Sequence, residues 1–151
     1  MYPVTVDAFS SVPFGGNPAG VAVFEDKLPD EAEMRRIAAK MGYSETAFIL
    51  PLGGNRFRIR YFTPVEEVPL CGHATVGSFA YMLKTGLVRE GESYVAQTGA
   101  GDINVDIADG LVWLDMAEPK PLAFLNDTDS AALAAAYGIS AADMGKLKPA
   151  I

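Results

Sequence analysis

Cysteine and histidine are nearly absent: the 151 residues hold one of each. A single thiol excludes an internal disulfide framework and fits a reducing compartment. With one cysteine and one histidine there is also no four-ligand structural zinc site of the usual kind, so no metal is expected. No stretch approaches the ~20 apolar residues that a membrane helix requires. The start, MYPVTVDAF, lacks the basic segment and apolar run of a secretory signal. A cytoplasmic protein without a membrane partner is expected. Basic residues are also scarce, with 12 Lys and Arg against 19 Asp and Glu, for a net charge of −7. No basic cluster is present to offset phosphates, so a nucleic-acid partner is not expected. Arg56, Arg58 and Arg60 alternate along one strand face, which reads as a solvated or ion-paired surface.

What is abundant is apolar: half of the residues are hydrophobic and 21% are charged, enough for a proper core. The organising stretch is YFTPVEEVPLCGHATVGSFAYMLKTG, from Tyr61 to Gly86. Thr63-Pro64 and Val68-Pro69 turn the chain away from helix before Leu70. From Gly72, the residues Ala74, Val76, Gly77, Phe79, Ala80 and Leu83 predict a helix that is apolar or small almost all round, and therefore buried. Gly86 stops it, with Lys84 in the last turn where the helix dipole favours a cation.

Around this helix the pattern is mostly strand. Val4, Val6 and Ala8 alternate, and Gly20 to Phe24 is a short apolar run. Between them lies FSSVPFGGNPAG, a punctuated loop long enough to suggest binding. Pro29 and an acidic first turn open a helix whose core face is Met34, Ile37, Ala38 and Met41, ending at Gly42. Ala47 to Leu50 and Arg56 to Phe62 read as strands about a Gly53-Gly54-Asn55 turn. Tyr94 to Gln97 and Ile103 to Ile107 follow, and Asp109-Gly110 signals a hairpin into Leu111 to Met116. About seven strands and two helices, with mostly antiparallel neighbours, give an α+β fold: a curved sheet wrapped round a buried helix.

The composition changes at Glu118-Pro119-Lys120-Pro121, a candidate linker. Residues 1–119 are expected to form one domain. Residues 120–151 are expected to form the linker and the beginning of a second domain, with an Ala-rich helix from Thr128 to Tyr137 and a capping box at Ser140 and Asp143. Some thirty residues are too few for an independent core.

Chemistry concentrates in two places. Cys71-Gly72-His73-Ala74-Thr75 sits at the start of the central helix, where unpaired amides form an anion site and Gly72 permits close approach. This first turn is a plausible floor for a carboxylate pocket, or else a buried cysteine beside a histidine satisfied by a carbonyl. A cysteine-hydrolase reading is disfavoured, because nucleophile and base are normally brought together from distant segments. Glu45, in Ser44-Glu45-Thr46-Ala47-Phe48, lies among apolar neighbours that raise a carboxylate's proton affinity toward acid/base use. It also reads as an ordinary carboxylate at a strand start. Asn17 reads as a ligand-bonding residue or a turn cap. Gly15-Gly16-Asn17 and Thr98-Gly99-Ala100-Gly101 lack the Gly-Lys-Ser/Thr element of a phosphate loop.

Four ordered segments resemble one family. They are Val6-Asp7-Ala8-Phe9, then Pro13 to Ala19, then Ser44 to Phe48, then Phe62-Thr63-Pro64 with Val68 to Thr75. In this order they resemble the PhzF family, the phenazine-biosynthesis-like isomerases, related in fold to diaminopimelate epimerase. The resemblance covers residues 1 to about 119, and the tail resembles the start of the family's second half. It implies two similar α+β halves with the active site in the cleft between them, and cofactor-free proton transfer at carbon of a small carboxylic acid. Residue by residue, Glu45 matches the catalytic acid/base and His73 a hydrogen-bonding or relay partner. Gly72, Ala74 and Thr75 match the helix start that holds the substrate, while Ser44 and Asn17 belong to matching cleft segments. Cys71 lies near where epimerase relatives place a catalytic thiol. Members run to nearly twice this length, so three expectations stand: a fragment that is inactive alone, a separate polypeptide that supplies the other half, or a homodimer that imitates the two-half arrangement. The alternative is a non-catalytic small-acid-binding or interaction module. With Glu45 as the one strong acid/base candidate, a proton shift between carbons is favoured over inversion at one carbon.

Overall fold

The helices in this chain open at a capping Asp, a Gly or a capping Asn, and these set the element boundaries. In the computed structural model, which describes residues 3–116, 125–140 and 143, the first elements are β1 (Val4–Ala8), β2 (Asn17–Val23) and α1 (Glu31–Met41). They continue with β3 (Thr46–Gly53), β4 (Arg56–Phe62), β5 (Glu67–Val68) and α2 (Gly72–Thr85). Next come β6 (Ser93–Thr98), β7 (Gly101–Ala108) and β8 (Leu111–Leu114), and then α3 (Asp127–Ala136). The Asp30 carboxylate accepts from the Glu33 amide and caps α1, and Gly42 ends it in the left-handed region at φ 71°. The two-residue β5 is the strand that the periodicity does not reveal, since Pro64 and Pro69 leave too short a run between them.

The strands form one sheet in the order β1-β2-β3-β4-β6-β7-β8, with β5 added at β4. Five pairs are antiparallel, while β2–β3 and β4–β6 are parallel. The parallel pairs are those whose connections contain α1 and α2, because returning a strand in the same direction needs a long crossover. The helix α2 packs against β1, β2, β3 and β8. It therefore touches both ends of the strand order, which requires the sheet to curl round it into a half-barrel. Gly77 of α2 faces β1, where a Cβ would make ordinary contact with Val6 at 3.4 Å. Phe79 meets Phe57 edge-on, with centroids 5.6 Å apart. A second apolar cluster lies on the other face of the sheet, where Met34 and Ala38 of α1 pack with Ala22, Phe48 and Phe62.

The central helix is less enclosed than its composition predicts. The edge strands β1 and β8 do not pair with one another, so one strip of α2 stays uncovered. Val76 and Ala80 floor a groove of about 600 Å³ between the Asp7–Ser11 segment and Gly110–Trp113. The arginine row behaves as expected of an ion-paired face. Arg56 reaches Asp102 at 2.6 Å, Arg60 pairs with Glu67, and Arg58 donates to Gln97. These exposed pairs contribute little to stability.

Residues 1–116 and 117–151 are separate compact units. In the second, the Asn126 side chain caps α3 by accepting from the Asp129 amide at 2.9 Å, and the Asp143 amide donates to Ser140 Oγ, whose hydroxyl donates in turn to the Asp143 carboxylate. The expected linker at Glu118–Pro121, and the helix expected beyond Ser140, lie outside the described residues. Among the described residues, no helix is long and apolar enough to cross a membrane.

A buried chain of hydroxyls fixes where α2 begins. The Tyr61 hydroxyl on β4 lies 2.6 Å from Thr75 Oγ1, which donates to the Cys71 carbonyl at 2.7 Å. Tyr61 and Thr75 are both fully buried. Because the Thr75 proton goes to Cys71, the phenol donates in turn to Thr75. Burial pushes the Tyr61 phenol well above its ordinary range, so it remains a donor. Thr75→Val keeps the shape but strands the phenol, which costs about 1–3 kcal/mol. A lowered urea midpoint with an unchanged slope is the expected result, and an unchanged midpoint would show that the chain does not hold the helix start.

Candidate active site

Glu45 is delivered by the end of the first crossover. After the Gly42 cap, three residues lead from α1 to β3, and the Gly20 amide donates to the Glu45 carbonyl at 3.1 Å. That bond extends the β2–β3 ladder by one residue and pins the Glu45 backbone. It requires close approach, because a Cβ on Gly20 would lie 2.5 Å from Thr46 Oγ1. Cys71 is the N-cap residue of α2, in extended conformation and without a side-chain cap bond. His73 follows in the first helical turn.

These segments converge. Glu45 Oε2 stands 3.5 Å from His73 Nε2, with the two side chains 21% and 13% exposed. Cys71 Sγ lies 3.3 Å from His73 Nδ1. One ligand atom from each of Glu45, Cys71 and His73 falls within 4.8 Å of the others. The imidazole is thus held between a thiol and a carboxylate, with Nε2 buried and making no hydrogen bond. Burial, more than any other effect, pushes the Cys71 thiol up to about 11. The Ala74 and His73 amides pull against this shift and Glu45 adds to it. At neutral pH the sulfur is therefore a protonated thiol that can donate to Nδ1. Where the thiol donates to Nδ1, a neutral ring carries its proton on Nε2, facing Glu45.

The remaining candidates divide. Gly72 is half-buried at the helix start, and a Cβ there would meet no atom within 4 Å. Its backbone is open to a ligand rather than packed against protein. Ala74 and Thr75 turn their side chains into the core, and the Thr75 amide already donates to Cys71. The amides of Gly72, His73 and Ala74 belong to the first turn and lie outside the intrahelical ladder. Ser44 is exposed, and its side chain makes no hydrogen bond among the described residues. Asn17 opens β2 opposite Ala8, exposed, and has no hydrogen bond to the Glu45–His73 pair. Tyr61 was not legible as a site residue, although it holds the helix start through Thr75. Its signal was a phenol on the core-facing side of β4, which must find a buried partner.

The chain belongs to the phenazine biosynthesis-like protein family: the PhzC-PhzF family model matches residues 6–149. The Bacillus subtilis protein YfhB, named an uncharacterized isomerase, is 38% identical over 147 residues, covering 96% of this chain and 50% of its own length. The chain thus spans about half the length of that curated relative. A solved PhzF-family phenazine biosynthesis protein from Enterococcus faecalis superposes with a TM-score of 0.68 at 35% identity, covering 86% of this chain and 50% of that one. The hydroxyproline epimerase of Agrobacterium vitis superposes with a TM-score of 0.56 at 14% identity, over 76% of this chain and 41% of its own. This last likeness shows the fold alone, the diaminopimelate epimerase and proline racemase type of curled half-barrel.

The raised thiol has a direct consequence. In metal-free buffer, alkylation of Cys71 should accelerate about tenfold per pH unit through pH 9–10 and level off near 11, where a free thiol levels off near ~8.5. Because folding holds the proton more tightly, the thiol's contribution to stability is present at neutral pH and is lost as pH rises through 11. A rate plateau below pH 9 would contradict the buried, neutral thiol.

Proposed function

We propose that this chain carries one half of a cofactor-independent isomerase that moves a proton at carbon of a small carboxylic acid, with Glu45 as the acid/base. The observation that carries the reading is the 3.5 Å approach of Glu45 Oε2 to His73 Nε2 at the start of α2. Abstracting a proton beside a carboxylate builds negative charge on the substrate. Helix-start amides, at Gly72, His73 and Ala74, are the kind of donors that stabilise it, the last two lying close to the Cys71 sulfur in the present arrangement. Glu45 would lift the proton, and His73, with Nε2 turned toward that carboxylate, would hold or relay it. Cys71 would act as a neutral hydrogen-bonding neighbour rather than as a nucleophile.

The relative positions bear on the kind of transfer. Inversion at one carbon needs two proton carriers on opposite faces of the ligand. Two groups 3.5 Å apart lie on the same face. The arrangement therefore supports lifting a proton from one carbon and returning it to another, unless a second half adds a carrier opposite. Relatives of about twice this length carry the name isomerase, which supports the general class. The complete cleft would come from a second half, supplied by another polypeptide or a second copy of this chain.

A binding module without catalysis is the other reading, favoured by the uncovered groove beside α2. Exchange kinetics separate the two. With a small carboxylic acid that the assembled protein turns over, solvent deuterium should enter the substrate, and Glu45→Gln should reduce that incorporation by at least 10²-fold, the scale of a lost acid/base group. The circular dichroism spectrum should not change. Incorporation at the native rate in Glu45→Gln would remove Glu45 from the mechanism.

A further inference from the structure

The same three side chains have a chemistry that proton transfer does not use. A thiol, an imidazole and a carboxylate are the three ligand types that zinc-class ions take from proteins. Here they come from two separate segments, the α1–β3 connection and the start of α2, and converge within 4.8 Å. Bonds of about 2.0–2.3 Å place tetrahedral ligands roughly 3.5 Å apart. The Sγ–Nδ1 distance of 3.3 Å and the Oε2–Nε2 distance of 3.5 Å are already at that spacing. A metal takes only one imidazole nitrogen, so closure needs a side-chain rotation that carries one outer ligand over about 1 Å, well within Glu45's rotamer freedom. A second feature points the same way: His73 Nε2 is buried with no hydrogen-bond partner, an electron pair or N–H left for something to occupy.

We propose that Glu45, Cys71 and His73 form a three-ligand site for a thiophilic divalent cation of the zinc class, with water completing the coordination. On binding, the Cys71 proton passes to the buffer as the sulfur–metal bond forms, and no group changes oxidation state. Two of the three groups, Glu45 and His73, are those assigned to proton transfer above, so a bound ion blocks that chemistry. This consequence rests on the proposed function; the binding itself does not. The site acts as an inhibitory trap, with three protein ligands and one open position.

The single cysteine and single histidine make the test unambiguous. The untagged, reduced 151-residue chain is titrated with cobalt(II) alone as the spectroscopic probe. One equivalent should produce a thiolate-to-cobalt absorption in the near ultraviolet, together with the intense visible bands of tetrahedral cobalt. Zinc should bleach both. Cys71→Ser should lose the ultraviolet band, and Glu45→Gln and His73→Gln should each raise the cobalt dissociation constant at least tenfold. Circular dichroism checks the fold of each variant, and the native spectrum stands independently of them. No ultraviolet band at tenfold excess cobalt would overturn the proposal. So would native affinity in both Glu45→Gln and His73→Gln, which would mean that the thiol binds alone. Deuterium exchange is read separately, on the assembled protein with an acid it turns over: cobalt binding with exchange undiminished in Glu45→Gln sinks the isomerase reading only, and exchange lost in Glu45→Gln without cobalt binding sinks the metal site only.

Discussion

The start of α2 is held against the sheet by a buried chain of hydroxyls, and the candidate site exists because of it. Tyr61 on β4 bonds Thr75, and Thr75 bonds the Cys71 carbonyl. Tyr61 and Thr75 are fully buried, so the phenol depends on the threonine hydroxyl; a broken link leaves a buried polar group without a partner. With the helix start fixed, Cys71 and His73 have little choice of position. The side chains of Cys71 and His73 then stand where Glu45 arrives.

Glu45 arrives there because of a different constraint. The helix α1 must cross from the end of β2 to the start of β3, and the Gly42 cap ends it three residues short of the strand. The close Gly20–Thr46 contact lets β2 and β3 pair up to the Glu45 carbonyl. Two crossovers, two parallel pairs and one curled sheet thus bring residues 45, 71 and 73 together from separate turns of the chain. The same curl leaves β1 and β8 unpaired, which is why the central helix keeps an open strip at Val76 and Ala80.

Much of this was readable from local pattern. Gly42, Gly86, Pro29 and Asp109-Gly110 marked the ends of elements correctly, because caps and tight turns depend on backbone conformations that few residues adopt. The buried helix was readable from its small and apolar residues, and Glu45 and the Cys71–Thr75 segment stood out as the polar exceptions in apolar surroundings. Three things were not readable. The two-residue β5 has no periodicity to detect. The open strip on α2 follows from which strands are the sheet's edges, a long-range property that helix composition does not encode. The Tyr61–Thr75 bond joins residues 14 apart in sequence, and alternation on β4 marks Tyr61 only as core-facing. Side-chain convergence was inferred from family resemblance rather than from spacing, since nothing local says that residue 45 meets residue 73.

The central claim is that the Glu45 carboxylate sits against the His73 ring, and magnetic resonance of that ring tests it directly. With one imidazole in the chain, the side-chain nitrogen–proton correlations form a single set of signals. Glu45→Gln should move them clearly, while Glu33→Gln, which alters a carboxylate paired with Arg36 on the exposed face of α1, should leave them in place. Ring signals that coincide in the native chain and in Glu45→Gln would mean that the two side chains do not meet.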